Sequence, residues 1–224
     1  MGVFGALLLA HLLGDFPCQP YPLIRWKIAS LRGLAVHVAI QVALTLPVLI
    51  WFVPAWGWWA LILVSSHFLI DWLKVRLTRA GWVELAAFFL DQAAHFAVLW
   101  VIVRASGAAT TFGGVTAEVL RLGIILVLAI YAGAVVVFLV GAALKGPDGG
   151  FAPIPSPERW RGTLERTIMV VGVLLLPAAI WIVLAAGYVL AAVLLKRERQ
   201  VLVKHIVSVT WALAVTLLVG QVTV

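Results

Sequence analysis

Long apolar stretches alternate with short polar ones along the whole chain. The runs 3–19, 33–53, 57–74, 84–104, 123–144, 168–195 and 206–222 each hold few charged residues. A helix rises 1.5 Å per residue, so about 20 apolar residues cross the hydrocarbon of a bilayer. The pattern predicts an all-α, polytopic transmembrane bundle of about seven helices, within bounds of six and eight. Prolines punctuate it: the first run ends at Pro17, Pro20 and Pro22, and the second stops at Pro54. Pro177 interrupts the sixth run, which is either one tilted or kinked helix or a re-entrant pair.

The runs fall into two modules. Residues 1–104 predict a four-helix membrane module, and a Gly/Ala/Thr-rich linker occupies 105–116. Residues 105–224 predict about three further helices with a Pro-rich loop at 145–163. Inside that loop, Ser156-Pro157-Glu158 reads as a helix start, with a serine N-cap, proline at N1 and an acid in the first turn. A short interfacial helix carrying Trp160 is expected there.

Composition excludes a soluble protein. The chain is 64% hydrophobic and 11% charged, with a mean hydropathy of +1.14, more apolar than a soluble domain of 224 residues tolerates. The net charge of +7 does not indicate nucleic acid, because the Lys and Arg residues lie in short loops between apolar runs. The N-terminal run lacks a basic leader and is broken by His11 and Asp15, so it reads as a membrane helix rather than a cleavable signal. Ala6 stands where myristoylation after Gly2 needs Ser or Thr, and the single Cys18 forms no internal disulfide.

Loop charge sets the expected orientation. The first loop holds Arg25, Lys27 and Arg32, the third holds Lys74, Arg76 and Arg79, and the short second loop holds none. The positive-inside rule then puts loops one and three in the cytoplasm and the N-terminus outside. The basic stretch Lys196-Arg197-Glu198-Arg199 with Lys204 falls on the wrong side if the sixth run is a single pass.

The chemistry sits in the first four runs. His11 and Asp15 are four apart, as are His67 and Asp71, and Asp91 and His95 in reversed order; His37 stands near the start of the second run. Residues four apart share a helix face. Successive helices run antiparallel, so the ends of runs one and three meet the beginnings of runs two and four. All seven side chains are therefore expected in one leaflet, the cytoplasmic one in this topology. His205, beside Lys204, reads as solvated.

An ionised aspartate inside the bilayer costs about 2.5–3.5 kcal/mol at a helix centre, and three carboxylates close together repel one another. A divalent cation relieves both penalties, and His with Asp is a ligand set for zinc first, then iron or manganese. The expected metal ligands are His11, Asp15, His37, His67, Asp71, Asp91 and His95. Seven donors exceed one zinc site, so either two ions share them or some aspartates orient histidines. Asp15, Asp71 and Asp91 are the catalytic candidates, an aspartate not on the metal acting as general base. Lys27, Arg32 and Lys74 are placed to receive an anionic headgroup. The plainer readings are topology for these cations, an Asp71–Lys74 pair, an Asp15–Arg25 pair, and helix packing for His37. No HExxH, GxSxG, SxxK, P-loop or CxxC pattern occurs.

The stretch His11-Leu12-Leu13-Gly14-Asp15-Phe16 with Gln19, His67-Phe68-Leu69-Ile70-Asp71 with Lys74, and Phe89-Leu90-Asp91-Gln92 with His95 together resemble a family of small bacterial integral membrane proteins, domain of unknown function 3307. The resemblance covers about residues 1–104 and implies the bacterial cytoplasmic membrane. More distantly, the His-x-x-x-Asp layout is similar to membrane-bound metal-dependent hydrolases. That implies hydrolysis of a lipid-like or phosphoester substrate at the cytoplasmic face, with the lipid bilayer as partner and no nucleic acid. Two other functions compete. A metal or proton transporter needs polar groups in both leaflets, yet the other halves of the runs offer little beyond Gln41 and Thr45. A non-catalytic scaffold subunit would use the same cluster only to specify helix packing.

Overall fold

The computed structural model describes residues 2–77, 81–108, 111–112, 114–145, 156–194 and 199–220. Most of these residues are helical, with nine helices and no strand among them. They are α1 (Val3–Asp15), α2 (Tyr21–Ala29), α3 (Leu31–Phe52), α4 (Trp56–Leu77) and α5 (Trp82–Ser106). Then follow α6 (114–144), α7 (Ser156–Leu175), α8 (Ala178–Leu194) and α9 (Arg199–Gly220). Within α6, Val127–Ala132 is a π-helical turn between Gly114–Leu126 and Gly133–Leu144. Among the described residues, four segments are long and apolar enough to cross a membrane: Leu31–Phe52, Trp82–Ser106, Thr116–Leu144 and Gln200–Gly220.

The sequence pattern has no separate element for α2, whose residues read as a charged loop. Its punctuation explains it: Pro20 caps its N-terminus in extended geometry and Pro22 occupies the first turn. Ser30 ends α2 and caps α3, its hydroxyl accepting a hydrogen bond from the Gly33 N–H at 3.1 Å. Gly33 lets the two helices meet closely, since a Cβ there would lie 2.3 Å from the Trp26 carbonyl carbon. The sixth apolar run is also two elements, because α7 stops at Leu175 and α8 starts at Ala178 after Pro177. Of the expected loop 145–163, residues 146–155 lie outside the described part, and the chain is helical from Ser156 onward. Trp160 therefore belongs to the long α7 rather than to a short separate helix.

The chain divides into two compact units, Met1–Arg79 with Ala86–Ile124 and Val224, and Ala80–Leu85 with Ile125–Thr223. In the first, buried residues repeat every four positions. The stripes read Val3, Leu7, His11 on α1; His37, Gln41, Thr45, Leu49 on α3; Leu63, His67, Asp71 on α4; and Asp91, His95, Leu99 on α5. Each stripe is apolar at one end and polar at the other. Val3, Leu7, Leu49, Val53, Leu63, Leu99, Ile102 and Val103 form the apolar core, and the polar ends meet beside it.

In the second unit, Ile125, Ala129, Val170, Ala212 and Val215 form the core. The wide π turn presents carbonyl oxygens that side chains take up: Arg166 Nε donates to Ile130 O at 3.0 Å, and Trp211 Nε1 donates to Leu128 O at 2.8 Å. Arg166 also donates to Ser208 Oγ at 3.2 Å. His205 is held rather than solvated, its Nδ1 lying 2.9 Å from Tyr188 Oη and 3.2 Å from Glu165 Oε2.

Gly33→Ala forces a methyl against backbone atoms that cannot swing away, and is expected to destabilise the protein by about 1–3 kcal/mol. Gly57→Ala, where nothing lies within 4 Å, is expected to leave stability unchanged or raise it by up to about 1 kcal/mol. Thermal unfolding in detergent compares the two directly.

Candidate metal centre

The i, i+4 stripes fix which side chains meet. His11 and Asp15 come from α1, His37 and Gln41 from α3, His67 and Asp71 from α4, and Asp91, Gln92 and His95 from α5. The four histidines, Asp71 and Asp91 are each at most 5% exposed. Their rings form a chain, with centroids 5.2 Å apart for His37–His67, 4.3 Å for His67–His95 and 4.8 Å for His95–His11. The sequence brings seven candidate ligands to one face, and the structure brings all seven into one cluster.

At its centre four donor atoms approach one another. His37 Nε2 lies 3.2 Å from His67 Nε2, 3.1 Å from Asp71 Oδ2 and 3.3 Å from Asp15 Oδ1. His67 Nε2 lies 3.4 Å from Asp71 Oδ2 and 3.9 Å from Asp15 Oδ1. Two bare imidazole nitrogens facing at 3.2 Å have one proton at most to share. Beside this set, one donor each from His11, Asp15 and His95 lie within 4.8 Å of one another, as do donors from Asp71, Asp91 and His95.

The cations are the main departure from the sequence reading. Asp71 does not pair with Lys74; it takes Lys27, whose Nζ donates to Oδ1 at 3.3 Å and to Oδ2 at 3.4 Å. Lys74 instead donates to Asp91 Oδ2 at 2.6 Å and stacks over Phe88. Lys27 reaches inward because α2 is a helix packed on α3 rather than a loose loop. Arg32 stays exposed on the first turn of α3, and Arg25 is exposed on α2. With neutral histidines, three carboxylates face two ammonium groups, and one negative charge is left over.

That surplus is centred on Asp15, which amides surround. Gln41 Nε2 donates to Asp15 Oδ1 at 2.5 Å and to the His11 carbonyl at 3.0 Å. Gln92 Nε2 donates to Asp15 Oδ2 at 2.9 Å and to Asp91 Oδ2 at 3.2 Å. Gly14 makes room for the Gln41 amide, since a Cβ there would lie 2.5 Å from it. Reasoning from sequence put Gln41 in the opposite half of the membrane; its place four residues after His37, on the same stripe, is the signal that locates it. Depth is shifted too. Asp71 lies six residues before the end of α4 and Asp91 nine after the start of α5, roughly 9 and 13 Å along the helices.

Several buried atoms in the cluster have no hydrogen-bond partner among the described residues: His11 Nε2, His37 Nδ1, Asp91 Oδ1 and His95 Nε2. His95 Nδ1 lies 2.9 Å from the Asp91 carbonyl oxygen. A carbonyl only accepts, so Nδ1 carries the proton and Nε2 keeps its lone pair.

Removing one member of a buried ion pair strands the other. In chelator-treated protein, Lys27→Met is expected to destabilise by about 3 kcal/mol. The double variant Lys27→Met/Asp71→Asn is expected to recover more than half of that loss. A double-mutant cycle on thermal or denaturant unfolding gives the coupling; additive effects would show that the pair does not hold the cluster together.

A family model described as "Protein of unknown function (DUF3307)" matches residues 3–119, more than half of the chain. That stretch contains every residue of the cluster. No curated protein and no solved structure matches the chain. The chain belongs to the DUF3307 family.

Proposed function

We propose that the protein is an intramembrane divalent-cation protein whose ion is held by His37, His67, Asp71 and Asp15. The supporting observation is the spacing of the four donors. A tetrahedral ion with bonds of about 2.0–2.2 Å sets its ligand atoms roughly 3.3–3.6 Å apart. Five of the six separations here run from 3.1 to 3.9 Å. Charge supports the same reading: one divalent ion turns the surplus negative charge into a single positive one. Zinc suits the His₂Asp₂ set best, and iron or manganese also fit it.

On this reading Lys27 and Lys74 act first as counter-ions to Asp71 and Asp91. Gln41 and Gln92 orient Asp15, the role that outer hydrogen bonds play for ligating carboxylates. The centre belongs to the membrane half that the charged loops mark as cytoplasmic, in a bacterial inner membrane. The reaction that fits is hydrolysis of a lipid-like or phosphoester substrate. The ion supplies Lewis acidity, and Asp91, with Oδ1 unpartnered, is the carboxylate left to accept a proton. Transport fits less well, because Leu7, Leu49, Leu63 and Leu99 close the bundle on the other side of the cluster. A scaffold role requires that the cluster hold no ion.

Elemental analysis of the purified protein tests the reading. At least one equivalent of zinc, manganese or iron per chain is expected. His67→Ala and Asp71→Asn should each lower affinity by tenfold or more, and a chelator should lower the unfolding temperature of the wild type alone. A protein without stoichiometric metal, whose unfolding chelator leaves unchanged, would instead be a scaffold.

A further inference from the structure

Four of the seven His/Asp side chains satisfy the first ion, and three remain. Two of them, His11 and His95, line a cavity whose other walls are the polar Gln41, Thr45, Ser66 and His67 and the apolar Leu63, Val98 and Leu99; one donor each from His11, His95 and the neighbouring Asp15 lie within 4.8 Å of one another. The cavity measures about 10 Å³, room for one water or one ion. Neither His11 Nε2 nor His95 Nε2 makes a hydrogen bond, and both residues are at least 97% buried. A buried polar nitrogen without a hydrogen-bond partner carries a desolvation penalty of about 1–3 kcal/mol, and here two share one small space.

The orientation of each ring has a cause. His95 turns Nδ1 back to the carbonyl one turn earlier on its own helix, so Nε2, on the far side of the ring, points away from α5 into the bundle. His11 Nε2 lies 3.4 Å from Asp15 Oδ2, the oxygen not used by the four-donor set. Asp15 therefore has one oxygen toward each group of histidines: Oδ1 toward His37 and His67, Oδ2 toward His11.

We infer that His11, His95 and Asp15 Oδ2 form a second cation position, open on one side and bridged to the first by the Asp15 carboxylate. The inference rests on the metal reading above. The two positions differ in kind. The first is closed by four protein donors, whereas the second has three and leaves a coordination place vacant, the arrangement in which metals meet a ligand from outside. Two carboxylate-bridged ions set about 3.5–4 Å apart are the usual geometry for gripping a phosphoryl or related oxyanion.

Charge sets a condition on the second ion. One divalent ion with the two lysines leaves the centre at one positive charge, and another ion raises it to three. In a membrane interior that excess is untenable without anionic ligands. The second ion and an oxyanion thus bind together, each raising the affinity of the other.

The test uses the full-length protein in detergent micelles, stripped of metal and titrated with Mn²⁺, with and without inorganic phosphate. Bound ions are counted by equilibrium dialysis, and spin coupling is read by electron paramagnetic resonance. One ion is expected without phosphate. With phosphate, two are expected, with an exchange-coupled signal and at least tenfold tighter binding of the second. His95→Ala and His11→Gln should each keep the first ion and lose the second, so a folding fault in one variant does not decide the result. Phosphatidate in the micelles, replacing inorganic phosphate, separates a lipid headgroup from the free anion as the source. A wild type that saturates at one ion under every condition overturns the second position and leaves the first intact. Two ions without any phosphoryl anion overturn the oxyanion condition. No bound ion at all defeats the metal reading itself.

Discussion

Three carboxylates buried within a few ångströms of one another are the constraint that organises the N-terminal unit. In a bilayer such a group is stable only if each charge has a partner close by, because neither water nor dissolved salt screens it. Lys27 answers Asp71, Lys74 answers Asp91, and the Gln41 and Gln92 amides surround Asp15. Those partners come from α2, α3, α4 and α5, so the electrostatic demand of one cluster ties nearly every helix of the unit together. The apolar core of Val3, Leu7, Leu49, Leu63 and Leu99 supplies packing beside it. Apolar packing alone discriminates weakly among helix registers in lipid, where the surrounding chains are as apolar as leucine. The polar cluster discriminates strongly, since sliding one helix by a turn would strand a charge.

The partition of lysines and amides also bears on chemistry. If all three aspartates were compensated by ammonium groups, the cluster would be electrically complete and have no use for a metal. Two lysines for three aspartates leave it one charge short, and the shortfall lies where two imidazole nitrogens already face each other at 3.2 Å. A protein that needed only a helix staple could have closed this account with a third lysine or an asparagine. The combination of an unmet charge and several unpartnered polar atoms at the same place is what favours the proposed binding centre over a packing device.

Much of this was legible in the sequence, and the reason is periodicity. His/Asp spacings of four on helices of alternating direction dictate a shared face and a shared depth, so the identity of the clustered residues follows from sequence and antiparallel order. Apolar run lengths likewise predict the all-helical membrane architecture. What the pattern could not show was α2. Its nine residues, Tyr21–Ala29, carry Arg25 and Lys27 and are too short and too charged to read as a membrane run, and the helix is set by Pro20, Ser30 and the tight seat on Gly33. Without α2, Lys27 reads as a loop charge, and the true counter-ion of Asp71 is missed in favour of the sequence neighbour Lys74. Gln41 was misplaced for a related reason: hydropathy assigns depth by counting from run ends, whereas the stripe from His37 places it by face. The interruption at Pro177 is legible from the proline itself, which breaks the helix between Leu175 and Ala178.

The two units handle buried polarity in opposite ways, and the contrast sharpens what the cluster is for. In the C-terminal unit a π turn opens the backbone of α6, and Arg166 and Trp211 donate to the exposed carbonyls of Ile130 and Leu128. Gly133 permits this approach, since a Cβ there would lie 2.7 Å from the Trp211 ring. There the Arg166 and Trp211 donors each meet a carbonyl of the π turn, and Glu165 Oε1 is the one buried side-chain atom left without a partner among the described residues of that unit. The N-terminal cluster holds more carboxylates than ammonium groups, and His11 Nε2, His95 Nε2 and Asp91 Oδ1 meet no hydrogen-bond partner among the described residues. An excess of buried acceptors is unfavourable for a protein that merely folds, and it is the condition under which a cation binds with net gain. Beyond the cluster the stripes turn to leucine, at Leu7 on α1, Leu49 on α3, Leu63 on α4 and Leu99 on α5, so the far part of the bundle offers apolar side chains rather than charged ligands. On the proposed metal reading, that geometry would keep a cation beside one membrane face and suit chemistry there better than passage through the membrane.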